Sequence, residues 1–374
     1  MHEEQVDKEE EETATNGGAE PRQLMRDILA VAACRRETAA RWERFRSLEL
    51  AELLLEEGER DQDALPARSR ELAWTAQLVA EQPYPAPAMA RAHGILVRSR
   101  CLQGTALRLL GERAAAEAQF QIAVHYLTGP PTAAERAWYC AQLASLRESQ
   151  GRFDEAAALL SRAVWIHRSA RRFEEQGACL CRLAFLCFHE GRMEAASRVF
   201  SQARGLLSFE RSPGLAARCS LGFAVCLAVL GETDQALFLR KEGLALADRT
   251  TDGRDLLDVE WLEGRLAAAL GEHERAERHL GVVRRHLVQQ GRLIDAALCS
   301  LDIARVFLGT GQEERIGELI AELQAGFPVS LDQVRMLMAL QDFRRAVANE
   351  EDVDDASRTA AELIRRPGAI LHKF

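Results

Sequence analysis

The chain has 374 residues, 47% of them apolar but only 6% aromatic, with 10 prolines, a composition that favours helix over strand. Its formal charge of −9 is concentrated at the start, where residues 1–20 hold eight carboxylates against one lysine, so the remaining body is close to neutral. That balance argues against a broad basic field for nucleic acid and against a polybasic membrane patch, and with only Lys8, Lys241 and Lys373 among 48 basic residues it leaves little room for lysine chemistry.

Residues 1–20, MHEEQVDKEEEETATNGGAE, are acidic and nearly free of apolar side chains, so they are expected to form a disordered tail. An acidic start is also the wrong composition for a secretory signal. The longest apolar run, Leu221 to Leu230, is too short to span a bilayer. Nine cysteines, an odd number without framework spacing, read as reduced thiols and place the protein in the cytoplasm.

From Pro21 to Glu57 no proline or glycine interrupts the chain, and Leu24, Ile28, Trp42, Phe45, Leu48 and Leu55 recur at roughly helical spacing. The pattern predicts one long helix or two abutting ones. Its basic stretch, Cys34 to Arg46, reads as arginines whose stems cover an apolar stripe. Gly58 to Pro66 reads as a loop and Ala67 to Glu81 as a helix stopped by Pro83, Pro85 and Pro87. Residues 21–90 are thus expected to be a helical region of their own.

The decisive pattern comes next. Gly111, Gly151, Gly191, Gly231, Gly271 and Gly311 recur every forty residues, each preceded by a helix-compatible segment and followed by a polar residue. Five positions after the glycine stand Ala116, Ala156, Ala196, Ala236 and Ala276, and nine after stand Phe120, Leu160, Phe200, Arg240 and Leu280. Seven before stand Gly104, Ala144, Ala184, Ala224, Gly264 and Ala304. These offsets share one helical face, small where two helices approach and large where a gap is filled. Arg240 breaks the apolar series and is expected to snorkel to water. A seventh copy, with Glu351 in place of the glycine, keeps Phe343, Val347, Ala356 and Leu363 in register and reads as a cap.

A helix pair with small residues at fixed distances on both sides of a turn glycine resembles the tetratricopeptide repeat, over about residues 91–366. The repeat here is 40 residues rather than the usual ~34, similar to extended-helix variants of that family. The resemblance implies an all-α chain, an α-α superhelix (a TPR-like solenoid) of about seven helix pairs with an N-terminal helical extension, followed by a short tail at 367–374. It also implies that binding takes place on a concave groove lined by the first helix of each pair.

With the core at offsets near −8, −7 and −4, the positions at −13, −10, −6 and −3 or −2 are expected to face that groove. The candidate partner-binding residues are Arg98, Trp138, Phe185, Arg218, Trp261, Arg265, Arg305 and Arg345. Arg265, Arg305 and Arg345 share offset −6 and are expected to stack as an arginine ladder suited to carboxylates or phosphates. Trp138, Phe185, Phe188, Val225 and Trp261 would make the middle of the groove apolar and aromatic. Some family members clamp a C-terminal carboxylate with paired Lys and Asn, and the matching positions here have neither.

Cys179, Cys181, Cys187 and His189 crowd one helix, but residues two apart diverge on a helix, and Cys179, Cys219 and Cys299 share offset −12 as a small buried residue would. No metal or cofactor is expected, and no phosphate loop, paired-carboxylate motif or nucleophile elbow is present. The sequence therefore reads as a non-catalytic protein-interaction scaffold for an extended peptide or partner helix, with acidic or carboxylate-bearing partners favoured over nucleic acid or membrane. The alternative is a peptide- or ligand-sensing regulator of a partner transcription factor or kinase.

Overall fold

The computed structural model describes residues 20–127, 132–312, 314–325, 331–349 and 352–365. The expected tail over residues 1–20 falls outside them apart from Glu20, as do the turn position Glu351 and the segment 367–374. Among the described residues the ordered elements are helical and no strand occurs. They form α1 (Pro21–Ala30), α2 (Ala33–Ala39), α3 (Leu48–Asp61), α4 (Pro66–Ala80), α5 (Ala86–Leu109), α6 (Arg113–Leu127), α7 (Ala133–Ser149), α8 (Phe153–Ser169) and α9 (Phe173–His189). There follow α10 (Met193–Arg204), α11 (Pro213–Val229), α12 (Thr233–Ala247), α13 (Gly253–Ala269), α14 (His273–Gln289), α15 (Leu293–Gly309), α16 (Glu314–Ala325), α17 (Leu331–Ala348) and α18 (Val353–Arg365). The chain divides into two compact units, residues 1–147 and 148–374.

In the first unit the stretch expected to be one or two long helices is broken twice. The chain is extended at Val31 and Ala32, and a 3-10 turn, Glu43–Phe45, separates α2 from α3. Propensity gives no warning because the breaks are stabilised from a distance. The buried Arg36 guanidinium donates to the carbonyls of Leu29 (3.2 Å) and Val31 (3.0 Å), and it also pairs with Glu71 on α4. Ser47 then caps α3, its hydroxyl accepting from the Leu50 N–H at 3.2 Å. The expected loop from Gly58 is helix as far as Asp61. Gly58 is there for packing: a Cβ on it would lie 3.0 Å from Leu102 Cδ2 on α5.

The forty-residue glycines do end helices. Gly111, Gly151, Gly191, Gly231, Gly271 and Gly311 all have positive φ, between 68° and 86°, a region costly for residues with a Cβ. In the turn after α11, for example, the Gly231 N–H donates to the Ala228 carbonyl and the Glu232 N–H to the Leu227 carbonyl, at 3.1 and 2.8 Å. This double closure uses carbonyls that the helix end would otherwise leave without partners.

The turns between pairs repeat the device with less regular residues. Gly291 closes α14 at φ 69°, and Arg171 closes α8 at φ 56°. Consequently the helices α6 to α15 begin at a uniform spacing of twenty residues, from Arg113 to Leu293.

The small-and-large pattern is the core. Ala116, Ala156, Ala196, Ala236 and Ala276 are fully buried, as are Phe120, Leu160, Phe200 and Leu280, each large side chain contributing about 1.5–3 kcal/mol. Gly104 and Gly264 are small for a visible reason: a Cβ there would lie 2.8 Å from Phe120 and 2.7 Å from Leu280, on the second helix of the same pair. Offset −12 is also interior. The thiols of Cys219 and Cys299 point at the carbonyls of Phe200 (3.6 Å) and Leu280 (3.3 Å). All eight cysteines with described side chains are buried and unbridged.

Arg240 does not snorkel. It is buried, and its guanidinium faces Glu263 (3.1 Å), whose carboxylate is 2% exposed, and Glu272 (3.3 Å). Glu263 stands eight positions before Gly271, where other repeats have Leu143, Leu183, Phe223 and Ile303. Two facing apolar core positions are thus replaced together by an ion pair, to which Arg275 adds at 3.1 Å.

Candidate functional site

In the second unit the first helices α9, α11, α13 and α15, together with α18, line a half-open chamber of about 350 Å³. Its apolar wall comes from Phe188, Val225, Val229, Leu301 and Val306. Its charged wall carries Arg265, Arg305, Arg358 and one carboxylate, Asp302, with His189 and His273 at the edge of the same space. The volume lies in the range of small-ligand pockets.

Asp302 organises the polar side. Its Oδ2 accepts from Trp261 Nε1 and from Arg265 Nε, both at 2.7 Å. The Arg265 guanidinium lies 5.2 Å from the Phe188 ring centroid and 5.5 Å from that of Trp261, within cation–π range. One carboxylate and two rings therefore hold Arg265 in place on the chamber wall.

The eight sequence candidates separate into several groups. Arg265 and Arg305 line the chamber, and Trp261 supports it through Asp302. Phe185 and Arg218 come together next to it, with the Arg218 guanidinium 5.8 Å from the Phe185 ring, but Arg218 is engaged by Asp255 (3.2 Å) and Asp258 (3.1 Å). Phe185 packs edge-on to Phe200 at 4.9 Å. Arg98 and Trp138 belong to the first unit, where Arg98 bonds Glu59 at 2.7 Å and Trp138 packs on the apolar core.

Arg345 is not on the chamber wall. Its side chain is 70% exposed and pairs with Asp342 on the same helix at 3.2 Å, so the arginine ladder has two rungs here and not three. Its expected place is taken by α18, which presents Ser357, Arg358 and Ala361. Offset −10 needs correction as well. Cys101, Cys181 and Leu221 at that offset are fully buried between helices rather than open to a groove.

The reason is a register between neighbouring first helices. The residue six before one turn meets the residue nine before the next: Thr105 bonds Gln142 at 3.1 Å, Phe185 lies against Gly222, and Arg265 bonds Asp302. Asp302 and Arg358 are two charged side chains lining the chamber that offsets alone missed. The first has a signal in that register, since a cation and an anion stand 37 positions apart.

No helix among the described residues is long and apolar enough to cross a membrane. No protein-family model and no curated protein sequence matches the chain. Its fold is similar to that of solved Rap structures. A Rap protein complexed with Competence and Sporulation Factor gives a TM-score of 0.61 at 12% identity, over 84% of this chain and 88% of that one. Aspartyl phosphate phosphatase F from Bacillus subtilis gives 0.53 at 15%, over 95% and 97%. The Rap conjugation gene regulator of the plasmid pLS20 in complex with the Phr* peptide gives 0.52 at 14%, over 73% and 77%. At these identities the likeness is one of fold, that of an all-α array of packed helix pairs.

Proposed function

We propose that the chain is a non-catalytic binding scaffold that holds a peptide or partner segment in the chamber of its second unit. The observation that carries this reading is the pairing of an apolar wall with Arg265 and Arg305 in one half-open chamber. An apolar wall supplies affinity for side chains, and preoriented guanidinium groups favour a carboxylate. Two of the similar solved structures are complexes, with Competence and Sporulation Factor and with the Phr* peptide, which supports reading the chamber as a peptide site. We assign binding to the array over 91–366, leave 21–90 as its helical extension, and place the protein in the cytoplasm on the strength of its unbridged thiols.

A phosphatase shares the fold, but the chamber here is poorly equipped for such chemistry. Its carboxylate, Asp302, accepts from Arg265 and Trp261, so it is turned towards them rather than towards a substrate.

A second reading is a peptide-sensing regulator of a partner transcription factor or kinase. The observation favouring it is that α18, from the last pair, lines the same chamber as α9, from the third, so a ligand would contact pairs far apart along the chain. Calorimetric titration with short synthetic peptides, on the wild type and on R265E/R305E, tests the binding role. Binding that is unchanged by the double charge reversal would dismiss the chamber as the site.

A further inference from the structure

The last helix leaves the layer in which the repeats would place it. In this unit α12, α14 and α16 each pack on the first helix of their own pair and on the first helix of the next. By contrast α18 packs on α17 and turns back onto α15, the first helix of the pair before. It also lines the chamber beside α9, α11 and α13, and its Arg358 Cδ lies 3.4 Å from where a Cβ on Gly191 would sit, in the turn after α9. Thus α18 lies across the face that the first helices share.

The register of its side chains agrees. In the repeats small buried residues stand five and twelve positions after the turn, as Ala116 and Ala123 do. The matching residues of α18, Ala356 and Leu363, are only partly buried, while Ser357 and Ile364, one position on, are buried together with Ala360. One position is a rotation of about 100° on a helix, so α18 turns a different side to the array. Ser357, Ala360, Ala361 and Ile364 form that side, at i, i+3, i+4 and i+7. Ala360 and Ile364 join the apolar cluster that holds Leu298 and Leu301 of α15.

Three of these four side chains are small and bury little area, and a helix of 13 residues is marginal by itself in water. Such an element belongs to the part of a fold that opens first. Its sequence also lacks the residue that fixes the other turns, since Glu351 stands where the repeats have glycine.

We propose that the surface of α15 beneath α18 is a helix-docking surface with α18 as its resident occupant, and that a partner binds there as an amphipathic helix of the same pattern, small at i, i+3 and i+4 and aliphatic at i+7. This rests on the first-helix face of the unit being its binding face, as proposed above for the chamber. The partner helix displaces α18, so the surface is open only while α18 is released.

The test uses the full chain and a fluorescein-labelled peptide of the α18 sequence, residues 353–365, beside a control peptide carrying A360D and I364D. Fluorescence anisotropy measures binding to wild type and to the release variant A360D/I364D of the full chain, and hydrogen exchange follows 353–365. The variant should lose protection in α18, keep it in α9 to α15, and bind the probe. Wild type should bind about ten- to a hundredfold more weakly, because a site open for a fraction of the time has its affinity reduced by that fraction. The control peptide should bind neither chain. Circular dichroism checks the fold of the variant, and should it unfold, wild type decides: an excess of heavy-isotope peptide should speed exchange in the native α18 and leave α15 protected. Equal binding to both chains, no binding to a folded release variant, or exchange in the native α18 that excess peptide leaves unchanged overturns the proposal. Probe binding that R265E/R305E does not alter keeps this surface and removes the chamber as the site. Short peptides whose binding that charge reversal abolishes, with a helix probe that binds neither chain, keep the chamber and remove this surface.

Discussion

Arg265 donates its Nε–H to Asp302 Oδ2 at 2.7 Å across the seam between two consecutive helix pairs. The same oxygen accepts from Trp261 Nε1, also at 2.7 Å, so three residues of two first helices share one anion. The side chains of Arg265 and Asp302 are only 18% and 16% exposed, which makes this contact stronger than a surface ion pair. Asp302→Ala should destabilise the second unit by about 1.5–3 kcal/mol per charge-assisted hydrogen bond lost. It should also shift the fluorescence of Trp261. Urea denaturation and emission spectra check both, and an unchanged midpoint would mean that the triad is not part of the folded core.

His167 gives the protein a pH dependence with a definite sign. The ring is buried in α8 and burial lowers its pKa from 6.5, with Glu175 opposing and Arg172 adding to the shift. Below that value the unfolded chain takes up a proton that the native ring resists, so the unfolded state gains and stability falls. The fall begins as pH drops through about 6.5 and levels off once the native ring itself is protonated, with a slope of at most about 1.4 kcal/mol per pH unit. His167→Gln should flatten this part of the profile. Urea midpoints between about pH 7.5 and 5.5 measure it, and equal slopes in wild type and variant would exclude His167 as the cause.

Most of the helical register was legible because glycine with positive φ is a backbone requirement, and a requirement repeated every forty residues stands out. The half-period was not, since Arg171 and Gly291 fill equivalent turns with different residues. The core alanines could be read from their offsets, whereas the groove could not be read reliably. A face assignment within one helix omits the neighbour, and Cys101, Cys181 and Leu221 are covered by it. Arg265 was visible as a repeated offset. Asp302 was visible only with the 37-residue register between helices, and Arg358 had no local signal at all because its position depends on where α18 packs.

Arg171 offers a test of the turn argument. At φ 56° it occupies the left-handed region with a Cβ, while its N–H and that of Arg172 bond the carbonyls of Arg168 and His167 at 3.1 and 2.9 Å. The left-handed geometry costs a residue with a Cβ about 1–2 kcal/mol. Arg171→Gly removes that cost and adds the greater freedom of glycine in the unfolded chain, about 0.5–1 kcal/mol. The net expectation is a gain of a few tenths to about 1 kcal/mol, against a loss of similar size for Gly231→Ala. Thermal melts of the two variants decide the matter, and destabilisation by Arg171→Gly would refute the account of these turns.

The buried pair Arg240–Glu263 makes the sharpest prediction about the core. Its two positions, nine after one turn glycine and eight before the next, carry Phe120 and Leu143, Leu160 and Leu183, Phe200 and Phe223, and Leu280 and Ile303 in other repeats. Removing one partner leaves the other charge buried among helices, although Glu272 and Arg275 remain nearby. Arg240→Leu or Glu263→Leu alone should therefore cost about 3–5 kcal/mol. Replacing both restores the apolar pair found in the other repeats, and because desolvating two ions offsets most of their attraction, the double variant should approach or exceed wild-type stability. A double-mutant cycle by urea denaturation measures the coupling directly. If the double variant is as unstable as the sum of the singles, the ion pair contributes something that the apolar pair cannot replace.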